Sequence, residues 1–242
     1  MSVDGNWRRW LWRFTIAAAT ITLAIYCVIW FWRPGTLCDQ YNQGHRLGGD
    51  LISELPENTL PVFRAAIERL ESNSDYLYSE CDLRETKDHQ IVIFHDWDLI
   101  RLVPDTPANR AVVGGEKIGR QAIKDLTLSQ VKSLRLNGGH EIPSLVEVLD
   151  CAVELQIKKP LILEIKDLHS DIGRQRAIDQ AARCRDDSGL EIHFSGFRRH
   201  LGRSLPDTRK WLDQFSTNGF RVYQVYRPAT KKYDLCETWE NW

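Results

Sequence analysis

Strand-like and helix-like segments alternate along most of this chain, and that alternation constrains its fold more than any other feature. Apolar runs typical of buried strands occur in YLYSECD, QIVIFHD, LILEIK, LEIHFSGF and FRVYQVY. Helical spacing of apolar residues occurs in ENTLPVFRAAIERLES, TLSQVKSL and SLVEVLDCAVEL, and RETKDH reads as a turn. Because strands that alternate with helices form parallel sheets or barrels, we predict an α/β fold.

An uncharged segment near the N-terminus, Phe14–Trp32, is about long enough to cross a bilayer core of ~30 Å as a helix. Tryptophans stand at both of its ends, as is typical of the two membrane interfaces. Arg8, Arg9 and Arg13 precede the segment and only Arg33 follows it closely. We therefore predict a single-pass anchor with a cytoplasmic N-terminus and the remaining chain on the extracytoplasmic (periplasmic) side.

Two other interpretations of this segment fit its sequence less well. A cleaved signal peptide is disfavoured because no small-x-small site follows the apolar run, and a buried soluble helix is the minority interpretation. The predicted organisation is a cytoplasmic N-terminus at 1–13, the anchor at 14–32, a linker at 33–41, a catalytic barrel at 42–230 and a polar tail at 231–242.

Composition excludes several classes of function. With 43% hydrophobic residues and a net charge of −1, the chain of 242 residues is neither disordered nor a polycationic nucleic-acid binder. Its six cysteines match no zinc motif, so either disulfides or buried thiols are expected. An anionic small molecule must therefore be bound by a local group of charges, and no nucleic-acid partner is expected.

Charged residues follow the apolar strand-like runs, at the edge where parallel α/β folds carry their sites. Residues two apart on a strand share a face, which pairs Glu80 with Asp82 and Glu164 with Lys166. If the strands are neighbours, three carboxylates, two histidines, an arginine and a lysine converge. Taken singly, each pair is equally explained as a solvated strand end or an ordinary ion pair.

Together these residue types suit the cleavage of a phosphate ester. Carboxylates without cysteine favour a hard divalent cation, Mg²⁺ or Ca²⁺. Arginine and lysine are donors for a phosphate group, and histidines act as general acids and bases near neutral pH. The sequence therefore predicts metal-assisted hydrolysis of a phosphodiester.

The ordered set GHR, LPENTLPVFRAAIE and YSECDLRETKDHQIVIFHDWDLIR, followed by LTLSQVKSL, EIPSLVEVLD and LILEIK, resembles the glycerophosphodiester phosphodiesterase family. The similarity covers about residues 42–167. It implies a TIM-type (β/α)8 barrel and hydrolysis of glycerophosphodiesters to glycerol 3-phosphate and an alcohol. Because too few residues follow Lys166 for four more β/α units at ~30 residues each, the barrel is expected to be short or irregular in its C-terminal half.

The resemblance also implies roles for individual residues. Carried over position by position, they are an acid/base pair, three metal ligands, two phosphate contacts and two supporting residues: His45 and His95; Glu80, Asp82 and Glu164; Arg46 and Lys166; Glu57 and Asn58. Leu47 stands where the family has the first glycine after His-Arg, so a shifted turn is expected there.

Two alternatives to this function remain open at this point. One is a phosphodiesterase or phospholipase D-like enzyme that acts on lysophospholipids or other lipid head groups. The other is a membrane-anchored protein that binds a phosphorylated ligand without turnover. Retention of both histidines and all three carboxylates favours an enzyme.

Overall fold

Six strands form one mixed sheet in this computed structural model, which describes residues 42–115, 117–202, 204–226 and 234–238. The strands are β1 Ser79–Glu85, β2 Ile91–Ile93, β3 Leu161–Asp167, β4 Ile192–Gly196, β5 Val222–Tyr226 and β6 Asp234–Thr238. Their order across the sheet is β2-β1-β3-β4-β5-β6. β1, β3, β4 and β5 are parallel neighbours, while β2 and β6 are antiparallel to β1 and β5 at the two edges.

Helices occupy most of the connections between the strands. They are α1 Leu60–Leu70, α2 Pro107–Val113, α3 Leu128–Ser133, α4 Leu145–Leu155, α5 Asp171–Ser188, α6 Arg198–Leu201 and α7 Leu205–Thr217. The predicted capping box begins α4, where the Ser144 hydroxyl accepts from the Glu147 N–H and the Glu147 carboxylate accepts from Ser144. Side-chain caps of the same kind begin α2, α3, α5 and α7, so local sequence determines most helix starts.

The main core lies on the helix-covered face of the sheet. Leu83 and Leu163 from the strands are fully buried there with Phe63 of α1, Leu149 of α4 and Ile178 of α5. Burial of each such side chain stabilises the folded state by about 1.5–3 kcal/mol. The opposite face of β1 and β3 is thereby left to their polar residues, which alternate with the apolar ones.

The predicted turn RETKDH is present, but it makes β1 and β2 an antiparallel hairpin. Leu83 pairs with Ile93 and Glu85 with Ile91, and the Thr86 N–H donates to Gln90 O at 2.9 Å. The connection is too short for the crossover that parallel neighbours require. The prediction that His95 ends a parallel strand of the rim is therefore wrong, because an antiparallel strand carries it toward the middle of β1.

The predicted first strand through GHR is not a regular strand. Asn42–Gly44 runs beside β1 and accepts one backbone hydrogen bond, from Glu80 N to Gly44 O at 2.9 Å. The Asn42 side chain bonds Tyr78 O and the Leu77 N–H, and it thus substitutes for ladder hydrogen bonds. A Cβ on Gly44 would lie 2.0 Å from Tyr78 O, so only glycine permits this approach.

The structure has the predicted α/β character and a core of parallel strands, but the described residues do not form eight strands. Within the described ranges the sheet has four parallel strands, and its edges are β2 and β6. The predicted strands LEIHFSGF and FRVYQVY are present as β4 and β5. The segment predicted as a polar tail contains β6.

The predicted anchor at 14–32 lies outside the described residues. No helix within the described ranges is long and apolar enough to cross a membrane. Of the cysteines, Cys81, Cys151 and Cys184 are free thiols.

Candidate active site

Three buried carboxylates meet on the face of the sheet opposite the main core. Glu80 and Asp82 share one face of β1, and Asp82 lies directly opposite Glu164 of β3 in the parallel register. One oxygen from each lies within 4.8 Å of the others. This group of Glu80, Asp82 and Glu164, the carboxylate cluster, brings together the three predicted metal ligands.

Lys166 is the cation closest to this cluster. Its Nζ lies 3.1 Å from Asp82 Oδ1 and 2.5 Å from Glu164 Oε1. Burial alone would lower the pKa of Lys166, but the charges of Asp82 and Glu164 raise it above its usual value. One ammonium is thus shared by two of the three carboxylates.

The remaining contacts of the cluster come from backbone and amide groups. The Arg46 N–H donates to Glu80 Oε2 at 2.8 Å, and Asn58 Nδ2 donates to Asp82 Oδ2 at 2.6 Å. Glu80 Oε1 is buried and has no hydrogen-bond partner among the described residues. Burial and the nearby charge of Asp82 raise the pKa of Glu80 to about 8.

Asp82 behaves in the opposite way. Burial alone would raise the pKa of Asp82, but the positive charge of Lys166, the nearby histidines and the Asn58 amide lower it to about 2. An all-oxygen donor set and a buried Glu80 oxygen that has no partner among the described residues together fit a hard divalent cation.

His95 is one of five side chains that are joined in a closed ring of contacts. The His95 Nδ1 lies 2.7 Å from Asp96 Oδ1, and Arg101 joins Asp96 to Glu57 with contacts of 2.6–3.0 Å. Arg46 closes the ring, because its Nη1 donates to Glu57 Oε2 at 3.0 Å and its Nη2 lies 3.0 Å from His95 Nε2. We call these five residues the His95 ring.

The ring determines the tautomer of His95. A guanidinium can only donate hydrogen bonds, so the His95 Nε2 that faces Arg46 must be the unprotonated acceptor. The proton is then on Nδ1, where it is donated to Asp96. The imidazole is therefore held in one orientation, with Nε2 accepting from Arg46 and Nδ1 donating to Asp96.

His45, the second predicted catalytic histidine, has a carboxylate partner of its own. Its Nδ1 lies 2.6 Å from Asp50 Oδ2, and its Nε2 lies 3.8 Å from Glu80 Oε2. Burial alone would lower the pKa of His45, but the hydrogen bond to Asp50 and the charge of Glu80 raise it above the usual 6.5. The site thus favours the charged form of His45.

The chain passes from His45 to the core through a left-handed turn. Arg46 and Leu47 have φ values of 50° and 59°, and Gly48 has φ of 88°. Leu47, at the family's glycine position, is fully buried in the main core, so the side chain anchors the turn that glycine would only permit. This turn aims the Arg46 N–H at Glu80 while its guanidinium reaches the His95 ring.

The two predicted supporting residues, Glu57 and Asn58, both lie at the site, but Glu57 contacts arginines and Asn58 contacts a predicted metal ligand. Glu57 was expected beside the metal ligands, but it pairs with Arg46 and Arg101 in the His95 ring. Asn58, expected only to shape the loop, donates directly to Asp82. Arg46 and Lys166, predicted to contact phosphate, both lie at the site and are paired there with carboxylates.

Sequence reasoning missed three residues of the site. Asp50 orients His45, and Arg101 links Asp96 to Glu57. Arg84 is buried, donates from Nη2 to His95 O at 2.7 Å, and lies against the ring of Trp97. No period-2 spacing marks Asp50 or Arg101, but Arg84 continues the Glu80-x-Asp82 face of β1 and could have been found from that spacing.

Ser195 also lies on this face of the sheet. It pairs with Glu164 in the register of β3 and β4, and its buried hydroxyl has no hydrogen-bond partner in the described part of the chain.

Comparison with known families gives one match that covers more than half of the chain. The profile of the Glycerophosphoryl diester phosphodiesterase family matches residues 47–201. That range includes every predicted site residue except His45 and Arg46, which directly precede it.

Solved structures are also similar. A candidate glycerophosphoryl diester phosphodiesterase from Silicibacter pomeroyi is 19% identical, with a TM-score of 0.53 over 77% of this chain and 64% of that chain. A candidate enzyme of the same kind from Galdieria sulphuraria is 26% identical, with a TM-score of 0.49 over 75% and 73%. An Oleispira antarctica phosphodiesterase in complex with sn-glycerol 3-phosphate is 18% identical, with a TM-score of 0.47 over 75% and 73%. The first likeness shows a shared fold.

Proposed function

Because the chain belongs to the glycerophosphoryl diester phosphodiesterase family, we propose that it hydrolyses glycerophosphodiesters to glycerol 3-phosphate and an alcohol. Membership confirms the predicted family and the predicted class of enzyme. The observation that carries the proposed reaction is the meeting of three buried carboxylates with two histidines, each of which has its own carboxylate partner.

We propose that the carboxylate cluster holds a divalent cation, Mg²⁺ or Ca²⁺. The bound cation would neutralise phosphate charge and orient the glycerol hydroxyls. Arg46 and Lys166 lie beside the cluster, and they would donate to phosphate oxygens once substrate competes with their present carboxylate partners.

The two histidines take different parts in this proposal. His95 accepts the proton of the glycerol 2-hydroxyl at Nε2, and that hydroxyl oxygen attacks phosphorus. Charged His45 donates its Nε2 proton to the leaving alcohol oxygen as the phosphorus–oxygen bond breaks. The two histidines then exchange roles: His45 deprotonates the water that opens the cyclic phosphate, and His95 returns a proton to the glycerol 2-oxygen.

The full-length chain, purified in detergent, tests this function directly. We expect release of glycerol 3-phosphate from glycerophosphocholine with Mg²⁺ or Ca²⁺, none with EDTA, and a loss of about 10²–10⁴-fold in His95→Ala. His140→Ala is the matched control, because His140 lies outside the site.

Two results would contradict the proposal. Metal-independent release, or equal rates in His95→Ala and wild type, would exclude the assigned chemistry. A folded chain that turns over lysophospholipid and leaves glycerophosphocholine intact would point to the lipid-substrate alternative.

The membrane location remains a separate proposal. It depends on the sequence of 14–32, which would anchor the enzyme with its catalytic part on the periplasmic side. Resistance of the chain to alkaline extraction from membranes supports it, and full release into the soluble fraction contradicts it.

A further inference from the structure

A second cluster of metal-ligating side chains lies on the other face of the β1–β2 hairpin. Glu85 ends β1, His89 lies in the hairpin turn, and His169 directly precedes the N-cap of α5. One ligand atom from each lies within 4.8 Å of the others. Because Glu85 is an odd number of residues from Asp82, it points away from the carboxylate cluster. We call Glu85, His89 and His169 the imidazole cluster.

The carboxylate of Glu85 is fully buried, and its partners among the described residues are two histidines and Ser170. Its side chain is 0% exposed. His89 Nδ1 lies 2.6 Å from Oε1, His169 Nδ1 lies 3.5 Å from Oε2, and the Ser170 N–H donates to Oε2 at 2.9 Å. Within the described residues, its ion-pair partners include no lysine or arginine. A buried carboxylate of this kind favours a site for a further positive charge.

The start of α5 is shaped around this carboxylate. The Ser170 hydroxyl caps α5 and also bonds Glu85, and a Cβ on Gly173 would lie only 2.2 Å from the Glu85 carboxyl carbon. Glycine therefore allows the helix N-terminus to approach the charge. The positive end of the helix dipole therefore faces the Glu85 carboxylate.

The donor set differs from that of the carboxylate cluster. Two imidazole nitrogens and one carboxylate oxygen suit a borderline cation such as Zn²⁺, whereas three carboxylates suit Mg²⁺ or Ca²⁺. The side chains of His89 and His169 are 36% and 30% exposed, so an ion has access from solvent. We propose that Glu85, His89 and His169 bind Zn²⁺ at a second site, distinct from the catalytic one.

Such an ion would join two segments that carry catalytic residues. His89 belongs to the hairpin whose β1 holds Asp82 and whose β2 ends two residues before His95, and His169 follows the strand that holds Lys166. Zinc held between them would fix the hairpin against the start of α5. Its expected role is structural, since it stabilises the arrangement of the site without contacting substrate.

Zinc binding to the full-length chain tests the proposal. After treatment with EDTA and dialysis into excess Mg²⁺, the wild-type chain is expected to bind one Zn²⁺ and to unfold at a higher temperature with it. His89→Asn and His169→Gln should each lose the bound zinc and the shift in unfolding temperature. Asparagine is used at 89 because the residue has φ of 59°, which asparagine tolerates.

Two controls separate this site from the catalytic one. Asp82→Asn disables the carboxylate cluster and should keep the zinc, and His140→Ala removes a histidine elsewhere and should also keep it. Zinc that is lost in Asp82→Asn, or retained in both imidazole-cluster variants, overturns the proposal. So does a folded wild-type chain that binds no zinc, which would leave a hydrogen-bonded helix cap only.

Discussion

The carboxylate cluster and the His95 ring are neighbours that differ in how their carboxylates are paired. In the ring, Glu57 and Asp96 are matched by Arg46 and Arg101, and the imidazole bonds at both nitrogens. In the cluster, three carboxylates face one lysine, and an oxygen of Glu80 has no partner among the described residues. In the described part of the chain, the carboxylates of the ring are thus paired with arginines, whereas Glu80 of the cluster keeps an oxygen without a partner.

This difference indicates how the site divides its work. In the proposed reaction the ring holds His95, the proposed proton acceptor, in place before substrate binds, and preorganised groups of this kind need little rearrangement during reaction. The cluster is the proposed site of the divalent cation. Loss of a cluster carboxylate should therefore affect metal and activity together, while loss of a ring residue should affect turnover alone.

The largest effect is expected from Asp82→Asn. The change keeps the shape of the side chain but removes charge from the centre of the cluster, so cation affinity should fall and activity should drop about 10³-fold. Calorimetric titration with Mg²⁺ or Ca²⁺, beside the glycerophosphocholine assay, checks both quantities. Full activity with unchanged cation affinity would show that the cluster is not the metal site.

The next effect concerns the stability of the metal-free protein. The pKa of Glu80 is raised to about 8 from its ordinary 4.5, so the folded state holds a proton that the unfolded state releases. Stability from this group is present at low pH and is lost as pH rises from about 4.5 to 8, by on the order of 2–4 kcal/mol.

Denaturant unfolding in EDTA across that pH range measures this slope. Glu80→Gln carries no titrating carboxyl, and its free energy of unfolding should stay nearly constant there. Added divalent cation should flatten the wild-type slope, since it stabilises the ionised form. An equal slope in the variant and the wild type would assign the effect to another group.

A smaller effect is expected when the ring is opened at Arg101. Arg101→Gln removes the link between Asp96 and Glu57, so His95 loses its fixed orientation and kcat should fall about 10–100-fold with little change in KM. Arg110→Gln is the matched control, because Arg110 also binds a carboxylate five residues earlier, Asp105, away from the site. Equal kcat values in both variants would show that the ring does not position His95.

The cluster could be predicted from sequence better than the ring, because its paired residues are close together in the sequence. Period-2 spacing placed Glu80 with Asp82 and Glu164 with Lys166 on common faces, and the structure agrees. The apolar run IVIF reads the same in a parallel or an antiparallel strand, so the direction of β2 depended on the length of RETKDH. That turn is too short for the crossover between parallel strands, so its length alone indicates an antiparallel hairpin.

The ring could not be predicted because its members are far apart in sequence. Arg101 meets Glu57 across 44 residues, and Arg46 meets His95 across 49. Neither pair leaves a spacing pattern, since side chains of loops meet only after the fold brings them together. The family resemblance named Glu57 as a supporting residue of the site but did not indicate its partners Arg46 and Arg101.

The smallest effect should come from displacing the ring without removing any of its members. A Cβ on Gly49 would lie 2.5 Å from the Glu57 Cβ, so Gly49→Ala should push Glu57 away from Arg46 and Arg101. Since the backbone φ of Gly49 is −63°, alanine adds no backbone strain, and the clash alone should lower kcat about fivefold to tenfold.

Gly115→Ala is the control, because its nearest contact would be an ordinary 3.5 Å. A fall in kcat in Gly49→Ala, without a change in cation affinity, would show that the ring acts through its geometry. If cation affinity falls as well, the ring and the cluster are one coupled unit, because the Arg46 backbone N–H that binds Glu80 has moved with its guanidinium.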